Sequence, residues 1–415
     1  MVQSRVSEQP VAPEAAGTGS DSATDNGPIG GKADARFAQV AEAFADNLTH
    51  DDETGAGVCV YVDGINVVDL WGGYAELGNK RVWERDTIVN AYSIGKGVLA
   101  ALVATLVDQG RLDLDLTVAD VWPEFAAGGK EDVTLPVLLS HGCGMPAVRK
   151  RLPEGAMFDW DVMCRELATQ EPYWEPGTRH GYHVNTFGFL VGEVIRRVTG
   201  MRVEEALRTY VTGPLDADFG WGLSEGDASR VAHIYSPQAN FKLDGPEQWR
   251  LAFPETGDAA HDHMIWHTYF NPSGLAGGGI MNTPPWRAAV IPSTNGHGTA
   301  RGVARIYNAL LSHQGEAPVL ASLEIVDRAR TVVTDGDDMV LKRPSRFGLG
   351  FQLAQPSRPI GPNASAFGHF GYGGSLGYAD PEAGIAFGYI RNRPGDRWQT
   401  PRTQALVDAV YACLE

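Results

Sequence analysis

Ser93 and Lys96 stand three residues apart in the stretch Asn90-Ala91-Tyr92-Ser93-Ile94-Gly95-Lys96-Gly97. A hydroxyl and an amine at that spacing share one face of a helix. An apolar pattern follows at once, with Leu99, Leu102, Val103, Leu106 and Val107 recurring at intervals of three and four until Gly110. Both residues therefore fall in the first turn of a buried helix. Burial and the positive end of the helix dipole each lower the pKa of an ammonium, and a lysine held partly neutral can take a proton from serine. S-x-x-K also arises by chance as a capped, solvated helix start, so the decision rests on the motifs further along.

Tyr182 begins Tyr182-His183-Val184-Asn185, between a turn at Pro176-Gly177 and an amphipathic helix from Phe187 to Val198 that Gly200 stops. Taken alone, it reads equally well as a core tyrosine. Near the end stands His369-Phe370-Gly371, followed by Tyr372-Gly373-Gly374. Three other groups compete for a chemical role. Gly373-Gly374-Ser375-Leu376-Gly377 spells G-x-S-x-G, which acts as a nucleophile elbow only between a strand and a helix. Here Gly-Tyr-Ala-Asp-Pro-Glu follows, so Ser375 belongs on a strand or turn. His261, Asp262, His263 and His267 lack standard metal-ligand spacing and read as a polar loop, so no metal is expected. The glycines at 274 and 277–279 lack the lysine and the strand-to-helix setting of a phosphate loop.

The elements that must hold these groups are legible in outline. Asp34 can cap a helix with Phe37, Val40, Ala41 and Phe44 on its apolar face. Residues 58–62 and 67–71 flank Asp63-Gly64, a strong hairpin signal. Helices are expected at 133–141, 160–169, 203–210, 300–311 and 320–328, with strands at 347–353, 375–379 and 384–390. Pro401 opens a terminal helix. Residues 222–297 show little periodicity and read as long loops lining a cleft. The fold class is therefore α+β: an antiparallel sheet assembled from both chain ends (about 34–110 and 298–415), with a mainly helical subdomain inserted (about 111–297). Residues 1–33, rich in Ser, Gly, Pro, Ala and Asp, read as a disordered tail.

Composition narrows the function. With 415 residues, 43% hydrophobic, the chain can bury a large core. A net charge of −17 without any basic block argues against nucleic acid and anionic membranes as partners. No run is long enough to span a bilayer and no secretory leader is visible, which makes a cytoplasmic location the default. Cys59, Cys143, Cys164 and Cys413 are widely spaced and read as buried thiols. A small-molecule substrate is the expected partner, and a homo-oligomer is compatible with everything above.

The three motifs, in order, resemble those of the serine β-lactamase-like hydrolases, and more closely the family VIII carboxylesterases related to class C β-lactamases and D-alanyl-D-alanine peptidases. Trp174-Glu175-Pro176-Gly177-Thr178, Leu138-Leu139-Ser140-His141 and Phe347-Gly348-Leu349-Gly350-Phe351 agree, and the resemblance covers roughly residues 35 to 412. It implies Ser93 as nucleophile, Lys96 and Tyr182 sharing the general-base role, and the amides of Ser93 and Tyr372 as oxyanion hole. His369 and Gly371 would line the substrate site. No cofactor is implied. Two departures stand out. His369 occupies the place where β-lactamases and peptidases carry lysine, and Asn185 stands three residues after the tyrosine where class C enzymes have asparagine two residues on. No glutamate for class A style deacylation can be located. The expected activity is hydrolysis of small carboxylic esters with short acyl chains. A β-lactamase, a D-amino-acid peptidase or an acyltransferase would share the chemistry. A catalytically silent binding protein on this fold would be expected to have lost the serine, lysine or tyrosine.

Overall fold

The computed structural model describes residues 27–50, 53–236, 256–272, 279–313, 315, 318–395 and 397–415. Strand β1 (Ile29–Ala33) precedes α1 (Ala38–His50), and β2 (Gly55–Val62) and β3 (Ile65–Glu76) form a hairpin. Its turn residues, Asp63 and Gly64, have φ of 48° and 81°, the left-handed pair that a two-residue type I′ turn requires. After β4 (Arg81–Val82) and β5 (Val89–Tyr92) the chain enters α2 (Ile94–Asp108). The inserted region carries α3 (Val118–Val121), α4 (Leu135–Leu139), α5 (Trp160–Thr169), α6 (Thr186–Thr199), α7 (Val203–Leu207), β6 (Phe219–Gly220), α8 (Ala259–Phe270) and α9 (Pro284–Ala288). Then come β7 (Gly296–Gly298), α10 (Ala300–Asn308), α11 (Leu323–Ala329), β8 (Thr334–Asp337), β9 (Pro344–Phe347), β10 (Gln352–Leu353), β11 (Phe367–Phe370), β12 (Leu376–Asp380), β13 (Ile385–Arg391) and α12 (Pro401–Ala412).

The main sheet is antiparallel in the order β1-β3-β2-β13-β12-β11-β10-β9-β8, with β4 beside β3. It is built from both chain ends, and they join where Val60 of β2 faces Phe387 of β13. Alternation along β13 serves two cores. Ile385, Phe387 and Tyr389 pack with α1 and α12 residues such as Phe44 and Leu406 on one face. Ala386, Gly388 and Ile390 turn to the other face, where a Cβ on Gly388 would strike the α10 backbone at Ala300 and Ala304. Helix α2 lies inside this second core and is buried on all sides from Ile94 to Leu106, which explains why its sequence is apolar all round. Each fully buried leucine there contributes about 1.5–3 kcal/mol.

Several expectations need correction. Of the segment read as a tail, residues 1–26 lie outside the described residues, but Ile29–Ala33 pairs with β3 from Ile29 opposite Gly72 to Ala33 opposite Val68. Gly30 and Gly31 are poor strand formers, and the ladder of an otherwise open edge supplies what local propensity lacks. Asp34 makes no side-chain cap, because a 3-10 turn (Ala35–Phe37) intervenes before α1. The region 222–297 is not only loop: α8 and α9 lie in it, while residues 237–255 and the glycines 274, 277 and 278 lie outside the described residues. The strand expected at 347–353 is broken by a turn in which Gly350 has φ of 88°. All four cysteines are free and buried. Among the described residues no helix is long and apolar enough to cross a membrane.

Candidate active site

Strand β5 feeds Ser93 into α2 through Tyr92, whose φ of 53° is a left-handed conformation that costs a non-glycine residue about 1–3 kcal/mol. Packing holds it there. The Tyr92 ring is buried and meets the Tyr372 ring edge-on, with centroids 5.6 Å apart. The bend turns the chain from strand to helix within one residue, and the serine sits at the helix start.

One turn on, Lys96 is 0% exposed. Its Nζ lies 3.1 Å from Ser93 Oγ, 2.7 Å from the Val184 carbonyl and 3.0 Å from the Ser293 carbonyl. Burial holds its pKa well below the ordinary lysine value. The two carbonyls can only accept. In a neutral amine both hydrogens are thus committed to them, and the lone pair is left to face the serine hydroxyl. This arrangement can accept a proton from Ser93.

Tyr182 stands at the lip of α6 and is 1% exposed. Its amide donates to Asp338 Oδ1 at 3.0 Å. Its ring stacks on Phe347 and takes Trp398 edge-on, at centroid distances of 6.0 and 5.2 Å, while Lys96 Nζ sits 4.6 Å from the ring centre. Burial pushes the phenol pKa far up, and a hydrogen bond with Ser93 pulls the other way. Burial thus favours the protonated phenol and disfavours the charged ammonium. Asp338 itself is buried and saturated: Oδ1 also accepts from the amides of Val340 and Leu341, both at 2.8 Å, and Oδ2 from the Ser345 hydroxyl at 2.7 Å.

His369 on β11 joins the group from behind. Its Nδ1 donates to the Phe370 carbonyl at 2.7 Å, and its Nε2 faces Tyr182 Oη at 3.4 Å. Burial above all pushes its pKa down to about 3, so the ring is neutral. The ring is 0% exposed, as buried as Lys96, and its Nε2 meets the tyrosine. Gly371 follows, and a Cβ there would lie 2.7 Å from the Ala91 carbonyl. That close approach sets the turn Tyr372–Gly374 beside the strand that delivers Ser93.

The three motifs thus converge from β5-α2, the start of α6 and β11. A protein-family model described as Beta-lactamase matches residues 40–411. The chain belongs to the β-lactamase family. It is a hydrolase of the β-lactamase fold. It is 34% identical over 374 residues to "Esterase/beta-lactamase LipL" of Mycobacterium tuberculosis, covering 88% of this chain and 82% of that protein. Among solved structures, a family VIII carboxylesterase superposes with a TM-score of 0.83 at 36% identity, covering 93% of this chain and all (100%) of the other. A penicillin-binding protein homologue from Caulobacter crescentus gives 0.82 at 36% identity, again with 93% and 100% coverage.

Within this β-lactamase fold the competing groups find structural places. Ser375 enters β12, not a helix; it is buried, and its carbonyl accepts from the Gly371 amide at 2.7 Å. His261, Asp262, His263 and His267 lie on α8 rather than on a loop, and His267 Nδ1 donates to the Val148 carbonyl at 2.7 Å. No cluster of three or more metal-ligating side chains occurs among the described residues. Asn185 accepts from the Thr294 hydroxyl at 2.9 Å and ties α6 to the loop that carries Ser293. Sequence reasoning missed Asp338, Trp398 and the two carbonyls on Lys96; no local pattern marks any of them.

Proposed function

We propose that the protein is a serine carboxylesterase that cleaves small esters with short acyl chains through an acyl-enzyme on Ser93. The observation that carries this reading is the buried Lys96 Nζ, 2.7 and 3.0 Å from the Val184 and Ser293 carbonyls and 3.1 Å from Ser93 Oγ. Ser93 Oγ attacks the ester carbonyl carbon as its proton passes to Lys96 Nζ. The amides of Ser93 and Tyr372 receive the oxyanion. The tetrahedral intermediate collapses, the C–O bond to the alcohol breaks, and Tyr182 hands the leaving oxygen a proton that Lys96 replaces. Water then repeats the attack with the same groups and frees the acid.

Names among the relatives support an ester substrate, and the Tyr92–Tyr372 ring pair next to Ser93, with Tyr92 buried, supports a short acyl group. Opening of β-lactams is a second reading, favoured by the name of the mycobacterial relative. A neutral His369 in the third motif places it behind esters. The test is a fluorophosphonate probe with a series of p-nitrophenyl esters of increasing acyl length. Labelling at Ser93 and decline of kcat/KM with chain length are expected; an unlabelled Ser93 in folded protein overturns the reading.

A further inference from the structure

Arg343 ends the turn between β8 and β9, half-buried, with its guanidinium carbon 4.7 Å from the centre of the Trp398 ring. Trp398 in turn meets Tyr182 edge-on at 5.2 Å. Arg343, Trp398 and Tyr182 thus form a row leading toward Ser93. Arg343 Nη1 is buried without a hydrogen-bond partner among the described residues. The carboxylate that shares its surroundings, Asp338, is engaged by three amides and a hydroxyl. A guanidinium with an unfilled, desolvated N–H is costly unless an acceptor arrives. Stacked on an indole, its planar fork is already oriented for a carboxylate.

In the esterase reading, on which this inference rests, Tyr182 protonates the leaving oxygen, so the alcohol part of the substrate lies on its side of the serine. Trp398 and Arg343 continue in that direction. We propose that Arg343 determines specificity by receiving a carboxylate carried on the alcohol part of the ester, about one aromatic ring from the scissile oxygen, with Trp398 as the wall beside it. A β-lactam carries its carboxylate next to the scissile bond, where His369 of the third motif supplies no charge. The two positions are distinct.

The test compares 3-carboxyphenyl acetate with 3-carbamoylphenyl acetate, matched in shape and differing in charge. The carboxylate ester is expected to be favoured in kcat/KM by about tenfold or more, chiefly through KM. Arg343→Met should bring the ratio of the two esters to about one, and Arg343→Lys should restore part of it, since a point charge replaces the fork. Equal efficiencies in the unsubstituted enzyme overturn the inference, as does an Arg343→Met variant that loses both esters alike. A charge preference confined to mono(4-nitrophenyl) adipate over 4-nitrophenyl hexanoate overturns the assignment to the alcohol side. Hydrolysis of the neutral ester without charge preference sinks only this inference. Loss of all ester turnover together with an unlabelled Ser93 sinks the esterase reading as well.

Discussion

Tyr182 Oη and His369 Nε2 face each other at 3.4 Å between two fully buried side chains, and the other imidazole nitrogen is engaged by the Phe370 carbonyl at 2.7 Å. This fixes the tautomer: Nδ1 carries the proton and Nε2 offers a lone pair to the phenol. A lysine in the same place would present only donors and a charge. The histidine therefore favours a protonated Tyr182, which in the proposed mechanism leaves the duty of base to Lys96.

Ser93→Ala should remove nearly all ester turnover and Tyr182→Phe most of it, whereas Ser375→Ala, at a buried strand entry, should keep a substantial fraction if the protein folds. Losing a nucleophile or its proton carrier lowers kcat by several orders of magnitude. Initial rates on p-nitrophenyl butyrate, with circular dichroism as the folding control, decide it. An active Ser93→Ala enzyme would refute the assignment.

The pH profile follows from three directions of shift. Lys96 lies well below its usual value, so the amine becomes unprotonated, and the enzyme active, as pH rises through that depressed value. Reference pKa values alone place this rise on the alkaline side; burial moves it down. Tyr182, pushed up, keeps its proton on the plateau, and His369, at about 3, adds no step near neutrality. We expect kcat/KM to rise along a single limb and then level. A bell that falls again within about one unit of neutrality would mean a histidine in the proton path.

Asp338→Ala should cost stability and rate together. It strands three amides and a hydroxyl, each buried donor being worth about 1–3 kcal/mol, and it frees the backbone of Tyr182. A drop of about 3 kcal/mol or more in urea unfolding is expected, with a fall in kcat larger than any change in KM. Wild-type kcat in a destabilised variant would show that Tyr182 holds its place without the carboxylate.

Esters should be preferred to β-lactams because the third motif carries a neutral imidazole. A charge-assisted contact to the β-lactam carboxylate is worth about ten- to a hundredfold in rate, and it is missing here. His369→Lys should raise nitrocefin hydrolysis relative to p-nitrophenyl butyrate by about that factor. Comparable efficiencies on the two substrates in the natural enzyme, or no relative gain in the variant, would discard this account.

What the sequence determined is what local rules can carry. Helical spacing put Ser93 and Lys96 on one face, the Asp63-Gly64 pair selected the hairpin, and the order of the three motifs pointed to the family. Tertiary structure decided the environment of those groups. The carbonyls that orient Lys96 come from residues 88 and 197 positions away, and the carboxylate that fixes Tyr182 from 156 positions away. A main-chain carbonyl has no residue identity, so no motif can announce it. Burial belongs to the same class: whether the amine is neutral and the phenol protonated depends on what surrounds them. For His369 the sequence showed the missing charge, and only packing turned its ring toward Tyr182. Strand β1 and helix α8 escaped for a related reason, since pairing with β3 and packing around Met264 and Ile265 compensate for weak local signals.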